Sequence, residues 1–352
     1  MPDRGALVTP VSTLCASRRW EERAEEQGAH GGGWKQRVTA ARLSRWVDAG
    51  KIPQRLCGVN AVAAASLPDG RVLIAAVGYD SMVWLWNPVT GTRIGGPLTG
   101  HENAVFAMAA VPLSDDHTLI ATGGTDGTVR LWDPITCTQV GDPLTGHKGW
   151  IGAVVAVPFP VGRTLVASGS TRDKVLRFWD PITGIPLGGL NNKSPISKIA
   201  AVPLPDGRML MASNGVDTEI RLYDPVAIAH VGTIQAVHDR LSAVAAVPLP
   251  DGRVLICTGG SEGTVQLWDP LTCAAVGEPL ISPDSRGYAM AVVPLTDGQT
   301  LIATSGGEGV VRLWDPVAGT PVGSPLTGPT GPVYEVVAVP IPHADAERGQ
   351  ER

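Results

Sequence analysis

The sequence predicts an all-β protein built from repeated four-stranded sheets, and three observations predict it. The first is a recurring segment, GGTDGTVRLWDP at 123–134. Its Trp place is taken in turn by Trp86, Trp132, Trp179, Tyr223, Trp268 and Trp314, at steps of 46, 47, 44, 45 and 46 residues. A fixed period in this range marks an array of structural repeats. The second is the texture between these marks: short apolar runs rich in Val, Ile, Leu and Thr, bounded by Gly, Pro or Asp, which read as strands rather than helices. The third is the set of Pro-Asp-Gly-Arg turns at Pro68, Pro205 and Pro250. Gly in such a turn takes the positive φ that other residues resist, so each marks a tight hairpin. Four strands in about 45 residues is the size of one propeller blade.

Repeats run at about 59–98, 102–144, 148–190, 193–236, 238–281 and 285–327. Gly and Pro number 43 and 30 and recur at the same places, so they serve turns rather than disorder. The expected layout is an N-terminal extension at 1–55, a propeller at 56–342 and a disordered tail at 343–352. The extension carries ten Lys and Arg against six Asp and Glu. Within it, Ser17–Gln27 is helix-friendly, and Trp34–Ala49 spaces its apolar residues roughly as a helix does. It packs on the propeller side or offers a basic amphipathic docking helix, with Trp20, Trp34 and Trp46 favouring the second use.

The repeated residues resemble the WD-repeat β-propeller family. Gly100-His101, Thr122, Asp126 and Trp132-Asp133 match that family's glycine-histidine and tryptophan-aspartate marks, and the resemblance covers about residues 59–340. It implies that the His, Ser or Thr, Asp and Trp of one blade form a hydrogen-bonded chain. Two full sets are present: His101, Thr122, Asp126, Trp132, and His147, Ser168, Asp173, Trp179, the second with one extra residue between Ser and Asp. Elsewhere the pattern decays. Asn192 or Lys193 stands where a His is expected, Glu262 and Glu308 replace the Asp, Tyr223 replaces a Trp, and Asn87 replaces the Asp after Trp86. The set is expected to be structural, since a buried indole N–H needs an acceptor and a half-made buried network is costly.

Catalysis is not expected. Gly259-Gly260-Ser261-Glu262-Gly263 matches G-x-S-x-G, but that elbow needs a following helix, and here a strand follows. No Walker loop, His-Glu-x-x-His or Cys-x-x-Cys occurs, and the His are scattered, so neither a cofactor nor a metal site is expected. A net charge of −5 argues against a nucleic-acid partner. No apolar run is long enough to span a membrane. Five Cys at odd count, without close pairs, suggest a reducing, cytoplasmic setting. Cys137 and Cys273 stand at equivalent turn places, where other repeats carry Gly91, Gly184 or Gly319.

The expected function is a protein–protein interaction scaffold. In the family, the rim near the start of each innermost strand and the b–c turns commonly receives partners. The matching positions are Phe106, Trp150, Arg240, Arg286, Tyr288 and Tyr334, with Tyr79 and Arg172 in b–c turns. Aromatics and Arg are what binding hot spots favour. The alternatives are a regulatory module or remnant of a longer multidomain signalling protein, which the abrupt ends suit, and a ligand-binding or enzymatic propeller.

A last expectation concerns closure. Gly331–Pro340 supplies one strand of a seventh repeat, Val333 to Val339. Either six blades close with this strand laid aside, or the ring keeps the rotation of seven with one blade incomplete. The second is preferred, because similar repeats set a fixed rotation per blade. No outer strand for the first blade is evident upstream of Val59. The gap would be filled by residues 1–55 or another protein, and its open strand edges predict self-association.

Overall fold

Six sheets, each antiparallel and each made from one repeat, follow one another along the chain in the computed structural model. The structure describes residues 4–10 and 59–342, apart from positions 68, 216, 237 and 239 and the stretches 115–116, 160–161, 283–286, 296–297, 307–308 and 328–334. The helical readings of Ser17–Gln27 and Trp34–Ala49, and the tail, lie outside the described residues.

Blade 2 shows the pattern: Val105–Ser114 innermost, then His117–Gly124, Val129–Asp133 and Thr138–Leu144 outermost. Blades 3, 4 and 5 repeat it with four strands each. Blades 1 and 6 depart from the expected complete sheets. In blade 1 the outer strand is reduced to two bridges, Val83 to Leu98 and Trp86 to Arg93. In blade 6 it is split into Thr320–Pro321 and Leu326–Thr327. Both carry a Gly-x-Pro run there, which adds a positive-φ Gly and removes an amide donor. Blades 2 and 5 carry the same run and keep a bulged strand, with Gly141 at φ 66° and Gly277 at φ 70°. Blades 1 and 6 lose the ladder at Gly95 and Gly323.

The seams between blades hold the core. Each buries the apolar face of one blade under the aromatic of the next. Trp132 of blade 2 joins Ala75, Val77, Val83 and Leu85 of blade 1. Trp179, Tyr223, Trp268 and Trp314 repeat this on blades 2, 3, 4 and 5. Against the outer face of blade 6 lies Val336, and Val339 lies with Trp86 and Val59 of blade 1. Both valines belong to one strand, Val336–Pro342, which pairs antiparallel with Arg4–Pro10 from Arg4 opposite Pro342 to Pro10 opposite Val336. The C-terminal strand thus begins three residues later than expected and lies between the sixth sheet and the first. Its pairing with Arg4–Pro10 gave no signal in the sequence.

The turns that follow the repeated Trp explain the Asp. Asp133 Oδ1 accepts the amides of Ile135 at 2.7 Å and Thr136 at 3.2 Å. Asp180, Asp224, Asp269 and Asp315 do the same. Asn87 keeps the turn, because only Oδ1 is used: it accepts Val89 N–H at 2.8 Å and Thr90 N–H at 3.1 Å. Four residues after the Asp, the chain needs a left-handed backbone. Gly91, Gly184 and Gly319 supply it, whereas Cys137, Ile228 and Cys273 are forced into it at φ 57°, 51° and 59°.

Candidate functional site: polar networks and an aromatic rim

Where the sequence shows two full networks, the structure builds three. In blade 2, Trp132 Nε1 donates to Thr122 Oγ1 at 2.7 Å, Thr122 Oγ1 lies 2.8 Å from His101 Nε2, and His101 Nδ1 lies 2.8 Å from Asp126 Oδ2. One proton arrangement satisfies all four groups. The neutral His donates from Nδ1 to the carboxylate and accepts the Thr hydroxyl at Nε2. Blade 3 matches it through Trp179, Ser168, His147 and Asp173, at 2.8, 2.9 and 2.9 Å. The extra residue in its turn is absorbed by Lys174, at φ 56°. The third set is Trp268, Thr258, His238 and Glu262, at 2.8, 2.9 and 2.7 Å. His238 lies 20 residues before Thr258, close to the 21 between His101 and Thr122, and that spacing was the signal available. A Glu for an Asp is tolerated because its turn sits at the surface, where the longer arm can fold back.

Two blades solve the same problem differently. In blade 4 Asn192, rather than Lys193, takes the His place, and Tyr223 Oη donates directly to Asn192 Oδ1 at 2.7 Å. Ser213 is left without a partner. In blade 1 the hydroxyl place is Ala76, and Trp86 Nε1 is buried with no acceptor. Asp80 serves Trp84 Nε1 instead, at 2.8 Å. Ala76→Ser is therefore expected to raise stability by about 1 kcal/mol by giving that indole an acceptor. Chemical denaturation of the two proteins tests it, and an unchanged midpoint with unchanged slope removes the assignment.

The networks set a pH dependence. Burial pushes the His147 imidazole below its ordinary value, and Asp173 offsets this only in part. Burial opposes ionisation of Asp126 and Asp173, but hydrogen bonds from His101 and Thr128, and from Lys148 and His147, hold both carboxyls low. The unfolded chain thus binds more protons than the folded one on acidification. Stability is full above the unfolded His value of about 6.5, falls as the pH drops through the folded His147 value, and falls further as the depressed carboxylates take up protons below about pH 4. The melting temperature should decline below pH 6.5, with a shallower decline between pH 6.5 and 5 in His147→Gln. A melting temperature equal at pH 7.5 and 5 contradicts this.

The Ser/Thr–His–acid geometry resembles a catalytic triad, but the hydroxyls are sealed. Thr122, Ser168 and Thr258 are 0% exposed. Each already accepts a Trp N–H. The Ser261 turn leads into the strand Thr264–Trp268, not a helix. A cleft between blades 5 and 6 is lined by small and hydroxyl residues, among them Ser242, Gly259, Thr304 and Ser305. The innermost strand of blade 6 starts at Gly287, where blades 1, 2, 3 and 5 start at Val59, Val105, Ile151 and Leu241.

The rim brings three of the predicted partner residues together. Tyr79 and Phe106 meet edge to face, with ring centroids 5.6 Å apart. Phe106 and Trp150 lie parallel within 1° at 6.4 Å. Three successive blades thus contribute one ring each. Tyr79 stands in the turn just after the second strand of blade 1, Val72–Gly78. Phe106 occupies a β-bulge between Val105 and Ala107, and the extra residue turns its side chain out of the ladder. Trp150 stands just before blade 3, its carbonyl held by Thr171 N–H at 2.9 Å. Tyr79 is 63% and Trp150 58% exposed. Arg172 lies beside them, its stem filling the space where Gly149 would carry a Cβ. Arg240 is exposed but holds Trp150's place two blades on, outside this cluster. Arg286 and Tyr334 lie outside the described residues, and Tyr288 is described only as backbone, in the bulged stretch after Gly287.

The family described as WD domain, G-beta repeat, matches the chain at residues 52–87, 93–133, 136–180 and 230–269. The chain is a WD-repeat protein. Three of the four matched stretches end one residue past the Trp of a sealed network, and the fourth ends one residue past Trp86. The unmatched blades are those built on Tyr223 and on Trp314, the second with Thr304 as its acceptor at 2.8 Å. The WD-repeat protein keeps a four-stranded sheet in the first and a sheet with a split outer strand in the second. No curated protein matches the chain.

Proposed function

We propose that this WD-repeat protein is a non-catalytic scaffold that takes a protein partner on the rim carrying Tyr79, Phe106, Trp150 and Arg172. The observation that carries this reading is the single file of three touching rings, two of them mostly exposed, on a rigid platform. Exposed aromatic clusters of this kind mark contact sites, because they bury large area at small entropic cost. A ligand-binding or enzymatic propeller is disfavoured, since the hydroxyl–imidazole–carboxylate sets are buried and mutually satisfied. The net charge of −5 speaks against nucleic acid as partner. Among the described residues no helix is long and apolar enough to cross a membrane. Cys137, Cys257 and Cys273 are free thiols, in keeping with a cytoplasmic setting. A role as one module of a larger signalling protein is compatible with the same rim.

We also infer that Val336–Pro342 with Arg4–Pro10 is a reduced seventh blade, so that the propeller domain is 56–342 completed by a strand from the 1–55 extension. The support is the burial of Val336 in the sixth seam and of Val339 beside Trp86. A two-stranded sheet leaves two edges unpaired, and self-association through one of them follows.

The test is capture of partners by cross-linking with the intact chain and with Trp150→Ala combined with Arg172→Glu. Capture should be lost while the melting temperature stays within about 2 °C of the parent, since exposed substitutions cost little. Unchanged capture refutes the rim, and a collapsed melting temperature shows these residues to be core.

A further inference from the structure

We propose that the aromatic rim receives a proline-rich segment of the partner in the polyproline II conformation, anchored by an acidic residue at the Trp150 end. This rests on the rim being the interaction face. The aromatic floor is the first argument. Proline-rich segments in polyproline II conformation dock on aromatic-lined surfaces, where their rings pack against aromatic faces. The three rings lie 5.6 and 6.4 Å apart, centroid to centroid, and so form a continuous floor across three blades.

Backbone accounting is the second. Strand addition needs free carbonyls and amides, but the Ala104 carbonyl is taken by Thr125 N–H at 2.9 Å and that of Trp150 by Thr171 N–H at 2.9 Å. The Val105 carbonyl is taken by Asn60 Nδ2 at 3.0 Å. Proline has no amide to satisfy, and its segment makes no internal hydrogen bonds, so it docks by side-chain contact alone. A helix wants a groove with two apolar walls. Beside this single file, no second row of exposed apolar side chains stands among the described residues of blades 1 to 3 on this rim.

Charge gives the orientation. Lys148 lies two residues before Trp150, Arg172 stacks its stem on Gly149, and Lys174 follows in the same turn. None of the three side chains makes an ion pair among the described residues. The intervening Asp173 is committed to His147 and to the Lys148 amide. At the other end stands Asp80, bound to Trp84, while the exposed Glu102 holds in blade 2 the place of Lys148. A segment with Glu at one end and Arg at the other complements both.

The experiment is fluorescence anisotropy of the full chain with a synthetic peptide of six prolines, two Glu at one end and one Arg at the other. Two controls carry Ala for every Pro, or Lys for both Glu. The expected result is saturable binding of the first peptide, at least about ten-fold tighter than either control. Trp150→Ala and Phe106→Ala should each weaken it about ten-fold or more. Arg172→Glu should weaken the Glu peptide and tighten the Lys peptide. Circular dichroism melts check that each variant is folded, and Ile182→Ala, on an exposed turn between other strands, serves as a neutral comparison. Equal binding of the proline and alanine peptides, no binding by the folded parent up to millimolar concentration, or binding indifferent to Trp150→Ala overturns the proposal. If cross-linked capture depends on the rim while the peptide does not bind, the interaction-face reading stands and this inference falls.

Discussion

Trp132→Ala is expected to lower the unfolding free energy by about 3–5 kcal/mol, the usual loss for a large aromatic removed from a core. The indole is 1% exposed and sits in the seam between blades 1 and 2, among Ala75, Val77, Val83, Leu85 and Ile120. Its neighbours are strands held in two sheets, which cannot collapse into the vacated space. The Thr122 hydroxyl would also lose its donor. Denaturant unfolding measures the loss. A difference below about 1 kcal/mol would mean that the seam is not what holds the blades together.

Thr258→Val should cost about 2–4 kcal/mol with almost no change in volume. The Thr258 hydroxyl serves two buried partners, Trp268 Nε1 at 2.8 Å and His238 Nε2 at 2.9 Å. Valine fills the same space and strands both. Since the cavity contribution is absent, any large loss is electrostatic, and the comparison with Trp132→Ala separates packing from hydrogen bonding. A variant as stable as the parent would place the indole's acceptor elsewhere.

Much of this was legible because a repeat states each position six times. The Trp place, the hydroxyl two residues beyond its cross-strand partner and the Asp of the following turn recur in phase, so their role could be read before any contact was seen. The third network was missed at His238 because no Gly precedes that His and a Glu closes the set. Its geometry depends on a side-chain length that a pattern does not weigh. The orphaned Trp86 was equally hidden, since Ala76 is unremarkable in a strand until its cross-strand register is known. On the rim, shared phase suggested the aromatics, but only the β-bulge at Phe106 brings the rings of three blades into contact. Pairing of Arg4–Pro10 with Val336–Pro342 joins segments more than 300 residues apart, which no local signal encodes.

The bulge also bears on how such a surface diversifies. In each of blades 1, 2, 3 and 5 one residue steps out of the ladder at the same point: Asn60, Phe106, Gly152 and Ser242. Its side chain is uncoupled from strand register. A single codon change there can therefore alter what one sector of the rim recognises while the framework stays as it was. Blade 3 is closed to this route, because a Cβ on Gly152 would come within 2.9 Å of the Ile196 carbonyl. In that sector new specificity has to arise from Trp150 or Arg172, in the loops on either side.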